Sequence, residues 1–151
     1  MAISITTAMP TSFKVEILKA VHNFTASTGN TFKIALFVST ASGSGTFGAA
    51  TTNYSSMGAD QLPTATGYTQ TGNTLVSATP VADGTTAICD FADTTWTSAT
   101  FTTSGALIYN SSASNAACAV LSFSGDQQVS SGDFTIQFPV AAAATAIIRI
   151  A

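Results

Sequence analysis

Few residues in this chain could carry chemistry, and their spacing works against most reactions. Gly43-Ser44-Gly45-Thr46-Phe47-Gly48 fits G-x-G-x-x-G and follows a strand-like run. A dinucleotide site needs a helix starting at that loop, so that its N-terminus faces the pyrophosphate. Ala49-Ala50-Thr51-Thr52-Asn53-Tyr54 follows instead, with no amphipathic period, and the expected acidic residue about 20 positions on is missing. The single histidine, His22, comes late in a helical pattern, with no nucleophile or acid beside it in sequence. A cation near a helix C-terminus is electrostatically favourable, which is a sufficient structural reason for it. The carboxylates are Glu16, Asp60, Asp83, Asp90, Asp93, Asp126 and Asp133. Asp90 and Asp93, the closest pair, could in principle serve as paired carboxylates or help hold calcium. Aspartate at turn starts more commonly accepts nearby backbone N–H groups.

No Gly-x-Ser-x-Gly elbow, Walker loop or zinc-ligand spacing is present. The expectation is therefore a protein that is not an enzyme and carries no catalytic residue, cofactor or metal. Cys89 and Cys118 both sit in apolar strand-like runs, which favours buried free thiols over a disulfide, although pairing stays open.

Composition points the same way. Charged residues make up only 7% of the 151 residues; about 25% is usual for soluble domains. Thr, Ser, Ala, Gly and Asn take their place. A weakly charged surface tolerates close packing of subunits, because little charge must be desolvated on contact. A secreted β domain is the plainer alternative. The net charge is −3 without a basic run, which argues against a nucleic-acid partner. No run approaches the about 20 apolar residues of a membrane span, and Met1–Ser12 lacks the features of a signal peptide. The N-x-Ser/Thr sequons at Asn23, Asn53 and Asn110 are then chance products of a Thr/Ser-rich chain.

The elements that must position these residues are mostly strands. Phe13, Ile17, Val21 and Phe24, with Leu18 beside them, lie on one face of a 3.6-residue period, predicting a helix over residues 12–24 capped by Thr11 or Ser12. Phe32, Ile34, Leu36 and Val38 alternate as in a strand. Residues 39–67 carry few large apolar side chains and are expected to form a long excursion loop, of the kind that often makes contacts. Short strand candidates then recur at 74–79, 85–91, 96–102, 106–109, 116–123, 133–138 and 145–150. Turns are expected at Asp83-Gly84, 110–115, Gly125-Asp126 and Ser131-Gly132. The aromatics within these strands, Phe91, Trp96, Phe101, Tyr109, Phe123, Phe134 and Phe138, are expected in the core. The pattern predicts a mainly β chain: one antiparallel, jelly-roll-like β-sandwich domain over 1–151. It comprises an N-terminal arm (1–12), one short helix (12–24), and a sandwich (31–151) interrupted by the loop 39–67.

Several segments, in order along nearly the whole chain, carry a resemblance. They are Thr7-Ala8-Met9-Pro10-Thr11-Ser12-Phe13-Lys14, Phe32-Lys33-Ile34-Ala35-Leu36, Gly67-Tyr68 with Gly72-Asn73-Thr74-Leu75, and Trp96–Thr102 running into Gly105–Asn110. Ser131–Pro139 and Ala146–Ile150 complete the set. Together they resemble small structural proteins of tailed-phage particles, of the cyanophage and marine-phage type. The resemblance implies a virion protein and brings no catalytic residue. The expected role is a capsid decoration or cement protein on the outer capsid surface. Its partners would be the major capsid protein and copies of itself, as a dimer or trimer. The arm and the loop are the expected contact regions, with Met9, Pro10, Phe47, Tyr54, Met57 and Tyr68 as candidate contacts. The alternative is a tail or fibre component binding a host surface ligand; a carbohydrate-binding module outside the particle ranks below both.

Overall fold

The computed structural model describes residues 7–38 and 43–151. The chain is mainly β, with two antiparallel sheets and no closed barrel. Strands β1 (Phe32–Phe37), β2 (Asn73–Thr74), β5 (Thr94–Asn110) and β6 (Ala116–Ile136) form a four-stranded sheet in the order β2-β1-β5-β6. Strands β3 (Val81–Asp83), β4 (Thr86–Cys89) and β7 (Ile148–Ile150) form a three-stranded sheet in the order β3-β4-β7. The Asp83-Gly84 turn joins β3 to β4, with Asp83 opposite Thr86 and Gly84 at φ 61°, a backbone state glycine reaches without strain.

Strand parity explains why the larger sheet is covered on both faces. Phe32, Ile34 and Leu36 of β1, with Ala106, Ile108 and Cys118, belong to the larger core cluster. The intervening Ala35 and Phe37, with Leu107, Tyr109, Ala117 and Val120, belong to a second cluster. The register Ile34↔Ile108 and Ala35↔Leu107 keeps the two sets apart. Because side chains alternate with period 2, a strand such as β1 with apolar residues on both faces must be covered twice. The first face is covered by Phe13 and Phe24, and by Cys89, Phe91 and Ile148 around the smaller sheet. Phe24 stacks on Phe32 with ring centroids 4.3 Å apart. Burying such a side chain stabilises the fold by about 1.5–3 kcal/mol.

The second face is covered by part of the expected excursion loop. Phe47 stacks on Phe37 at 4.0 Å, Tyr54 leans on Tyr109 at 4.8 Å, and Met57 is fully buried. Tyr54–Asp60 forms two short 3₁₀ turns joined at Gly58, opened by an Asn53 capping box. The expectation of a long excursion loop over residues 39–67 is corrected here: Phe47, Tyr54 and Met57 pack against the second face and cover it. Residues 39–42 lie outside the described part.

Helix α1 spans Thr11–Leu18 and ends six residues earlier than the period implies. Pro10 occupies the N-cap, and no side chain caps the first turn. The chain leaves the helix at Ala20, whose φ of 55° turns the backbone out of the spiral. Phe24 reaches the core through this turn, so the apolar spacing was matched without helical continuity.

The long hairpin also departs from expectation. Candidates 96–102 and 106–109 join into β5, and 116–123 and 133–138 into β6. The expected turns at Gly125 and Ser131 are irregularities inside β6, with Ser124, Gly125 and Ser131 at positive φ. Thr103 pairs with Gln127 and Gly105 with Ser122, so the extra residues of β6 bulge out and the ladder resumes.

Candidate functional site

Most of the residues singled out by their chemistry are engaged by the chain's own groups. The amides of the glycine-rich loop face the chain's own carboxylate. Gly43 and Gly45 donate their N–H groups to Asp60 Oδ1 and Oδ2 at 3.0 and 2.6 Å, and Asp60 is fully buried. Gly48 N–H goes to Thr51 Oγ1 at 2.9 Å, and Thr51 in turn donates to Thr46 O. The anion-binding amides that a phosphate would need are thus engaged by Asp60, and no α-helix begins at the loop.

His22 lies beyond α1, with its side chain 0% exposed. Its ring sits 4.9 Å from that of Phe13. The Asn110 side chain sets its tautomer. Asn110 Oδ1 accepts the N–H groups of Ser112 and Ala113, which leaves Nδ2 to donate to Asn30 Oδ1 (2.9 Å) and His22 Nδ1 (3.0 Å). His22 Nδ1 is therefore the acceptor, and Nε2–H donates to Glu16 Oε2 at 2.9 Å. Cys118 Sγ lies 3.9 Å from the same Nδ1. A cysteine, a histidine and a glutamate thus meet, yet they do not form a nucleophilic triad. Asn110 takes the imidazole lone pair that would draw the thiol proton, and burial, then the Glu16 charge, pushes the Cys118 thiol far up. The helix-end explanation for His22 is replaced by this network, which ties α1 to the β5–β6 turn.

Cys89 and Cys118 are free and buried. Burial, and then the neighbouring Asp90 charge, pushes the Cys89 thiol up to about 12. Asp93 Oδ1 accepts Phe138 N–H at 2.8 Å, Asp133 Oδ1 accepts Ser98 N–H at 3.1 Å, and Asp83 Oδ2 accepts Ala143 N–H at 2.6 Å. All three accept backbone N–H groups, but from segments 45, 35 and 60 residues away rather than from the nearby turn groups expected. Asp90 Oδ1 and Trp96 Nε1 are buried without a partner among the described atoms. No three metal-ligating groups come together among the described residues, and no described helix is long and apolar enough to cross a membrane.

The candidate contact residues lie mostly inside the chain. Pro10, Phe47, Met57 and Tyr68 are buried, while Met9 and Tyr54 are partly covered. The Tyr68 hydroxyl accepts Leu36 N–H at 2.9 Å and donates to Gln70 O at 3.1 Å, supplying a ladder partner where β2 has ended. Burial raises its phenol strongly. These four buried candidates pack within the chain itself. The arm from Thr7 runs along β6, with Ala8 and Val120 exchanging backbone hydrogen bonds at 3.0 and 2.9 Å; Met1–Thr6 lie outside the described residues.

Two places stand out on the surface of the described residues. One is a polar cleft of about 290 Å³ lined by Thr25, Ser27, Asn30, Thr31, Thr74 and Ser77 among others. The other is an apolar trough between α1 and β7. Neither was legible in the sequence, because each joins segments more than 40 residues apart. No protein-family model, curated protein or solved structure matches this chain.

Proposed function

We propose that the chain is a structural protein of a tailed-phage particle, a decoration or cement protein on the outer capsid shell, with no catalytic role. The observation that carries this reading is the surface. Only 11 of the 151 residues are Lys, Arg, Asp or Glu, and Asp60, Asp83, Asp93, Asp126 and Asp133 each accept a hydrogen bond from the chain's own groups. Large apolar side chains, including Leu18, Val76, Val81 and Val140, stand exposed. A neutral, hydroxyl-rich surface with exposed apolar anchors suits repeated subunit contact better than life as a dispersed monomer. On a shell, modest contacts repeated many times add through avidity.

The same reading takes the two sheets as leaves of one jelly-roll-like sandwich domain. Its support is the shared core, in which Ile34 and Ile108 of one sheet join Cys89 and Ile148 of the other. The copies are expected to associate as dimers or trimers against the major capsid protein. The second reading, a tail or fibre component binding a host surface ligand, is favoured by the hydroxyl- and amide-lined cleft around Asn30.

Copy number in purified particles, by quantitative mass spectrometry against the major capsid protein, separates the two. A simple symmetry-related ratio supports the shell position. A handful of copies moves the chain to the tail, and absence from particles removes the virion reading.

A further inference from the structure

One surface of the molecule concentrates apolar exposure and positive charge. The trough between α1 and β7 has a volume of about 370 Å³ and is lined by Met9, Lys14, Ile17, Leu18, Arg149 and Ile150, among others. Leu18 is 88% exposed, Ile150 53% and Val15, on the same helix, 46%. The trough borders a smaller apolar pocket of about 140 Å³, which shares Ile17 and Ile150 and reaches Ile88 and Cys89.

The charge at this surface is unlike that of the molecule as a whole. The chain has four Lys and Arg residues and a net charge of −3. Lys14 and Arg149, two of the four cations, line the trough, and Lys19 follows Leu18 as the C-cap of α1. Glu16, the one carboxylate of α1, points to His22 and leaves these cations unneutralised from its own helix. Arg149 is anchored through the carbonyls of Ala143 and Ala144, while Asp83 accepts Ala143 N–H on the same segment.

These features select a partner. An apolar face with a cationic rim complements an apolar segment flanked by carboxylates. A two-fold pairing of two copies through this face would set like charges against one another. An eight-residue helix offers little apolar length for lying in a lipid interface.

We propose that this trough is the docking face for the capsid shell, and that its occupant is an acidic, apolar segment of the shell subunit. The proposal rests on the virion reading above. Electrostatic complementarity orients the approach, and Leu18 inserts as the apolar anchor.

Rebinding to shells freed of this protein tests it. The full chain is added as wild type, as Leu18→Glu and as Lys14→Glu/Lys19→Glu, and bound copies are counted over a concentration series at low and moderate salt. Wild-type binding is expected to saturate and to weaken with salt. Each variant is expected to bind at least tenfold more weakly with an unchanged melting curve, since the three side chains are exposed. If both folded variants bind as wild type does, the trough is not the docking face, although the cement reading survives. If wild type itself fails to bind shells, both readings fall. The docking proposal is also overturned if Leu18→Glu converts an oligomeric wild type to monomers in sedimentation, which makes the occupant a second copy. Wild-type binding to phosphatidylserine vesicles that Leu18→Glu abolishes would overturn it as well, in favour of a lipid surface.

Discussion

Replacing Asn110 by alanine should expose how much of this fold depends on one buried amide. Asn110 is fully buried at the end of β5, and its side chain makes four hydrogen bonds. Two go to backbone N–H groups of the β5–β6 turn, where water can substitute in part, so each is worth about 0.5 kcal/mol. The other two join Asn30 and His22. Truncation strands His22 Nδ1 inside the protein, and an unsatisfied buried acceptor costs about 1–3 kcal/mol. The sum is a loss of about 2–4 kcal/mol. With an m-value near 1.5 kcal/mol/M, the urea midpoint should fall by about 1.3–2.7 M at unchanged m. Asn110→Asp should cost a comparable amount despite its nearly identical size, because an acceptor then faces the acceptors His22 Nδ1 and Asn30 Oδ1. Thr95→Ala, which breaks the exposed Thr95–Thr135 hydroxyl pair, should cost well under about 1 kcal/mol and serves as the control. A loss below about 1 kcal/mol for Asn110→Ala would falsify the claim that this amide holds His22 and the turn together.

Three further outcomes follow from the same structure. Tyr68→Phe leaves Leu36 N–H buried without its acceptor and should cost about 1–3 kcal/mol in urea unfolding; a neutral result would mean that water replaces the hydroxyl. Both thiols should resist Ellman's reagent in the native protein and react only as fast as the chain opens, so rapid labelling of either would contradict their burial. Stability should also fall in alkali. Burial pushes Cys89 and Tyr109 each up to about 12, and Cys118 and Tyr68 are raised as well. The unfolded chain then releases protons, near pH 8.5 for thiols and about 10 for phenols, that the folded chain retains. The contribution of these groups is complete below the unfolded values and is lost as pH rises toward the folded ones, at about 1.4 kcal/mol per pH unit per group. Urea midpoints measured from about pH 8 to pH 10.5 should decline, and a flat profile would refute the assignment.

The wider picture is of a chain whose reactive side chains are turned to internal work. Asp60 fills its own glycine-loop amides, and His22 is held between Glu16 and Asn110. Most of what remains outside is neutral, apart from the cationic trough beside α1. That neutrality is the ground for the subunit-contact role proposed above.

Local pattern alone made the mainly β class readable. The alternation at Phe32, Ile34 and Leu36, the Asp83-Gly84 turn, and the helical spacing of Phe13 and Ile17 are short-range signals, and the structure contains a strand, a hairpin and a helix at those places. The same spacing continued through Val21 and Phe24 and implied a longer helix. A turn at Ala20 can bring Phe24 to the core as well as another helical turn could, and periodicity does not tell the two apart. Glycine and serine clusters at 124–132 looked like turns, but a bulge uses the same backbone freedom while the ladder continues. Residues 39–67 looked like an excursion loop because the partners of Phe47 and Tyr54, Phe37 on β1 and Tyr109 on β5, carry no local signal of the pairing. Site chemistry was the least legible of all. His22 meets Asn110 across 88 positions, and Asn110 meets Asn30 across 80. Period and turn chemistry act over a few residues, whereas a buried polar group must find its partner wherever the packed chain brings one within about 3 Å.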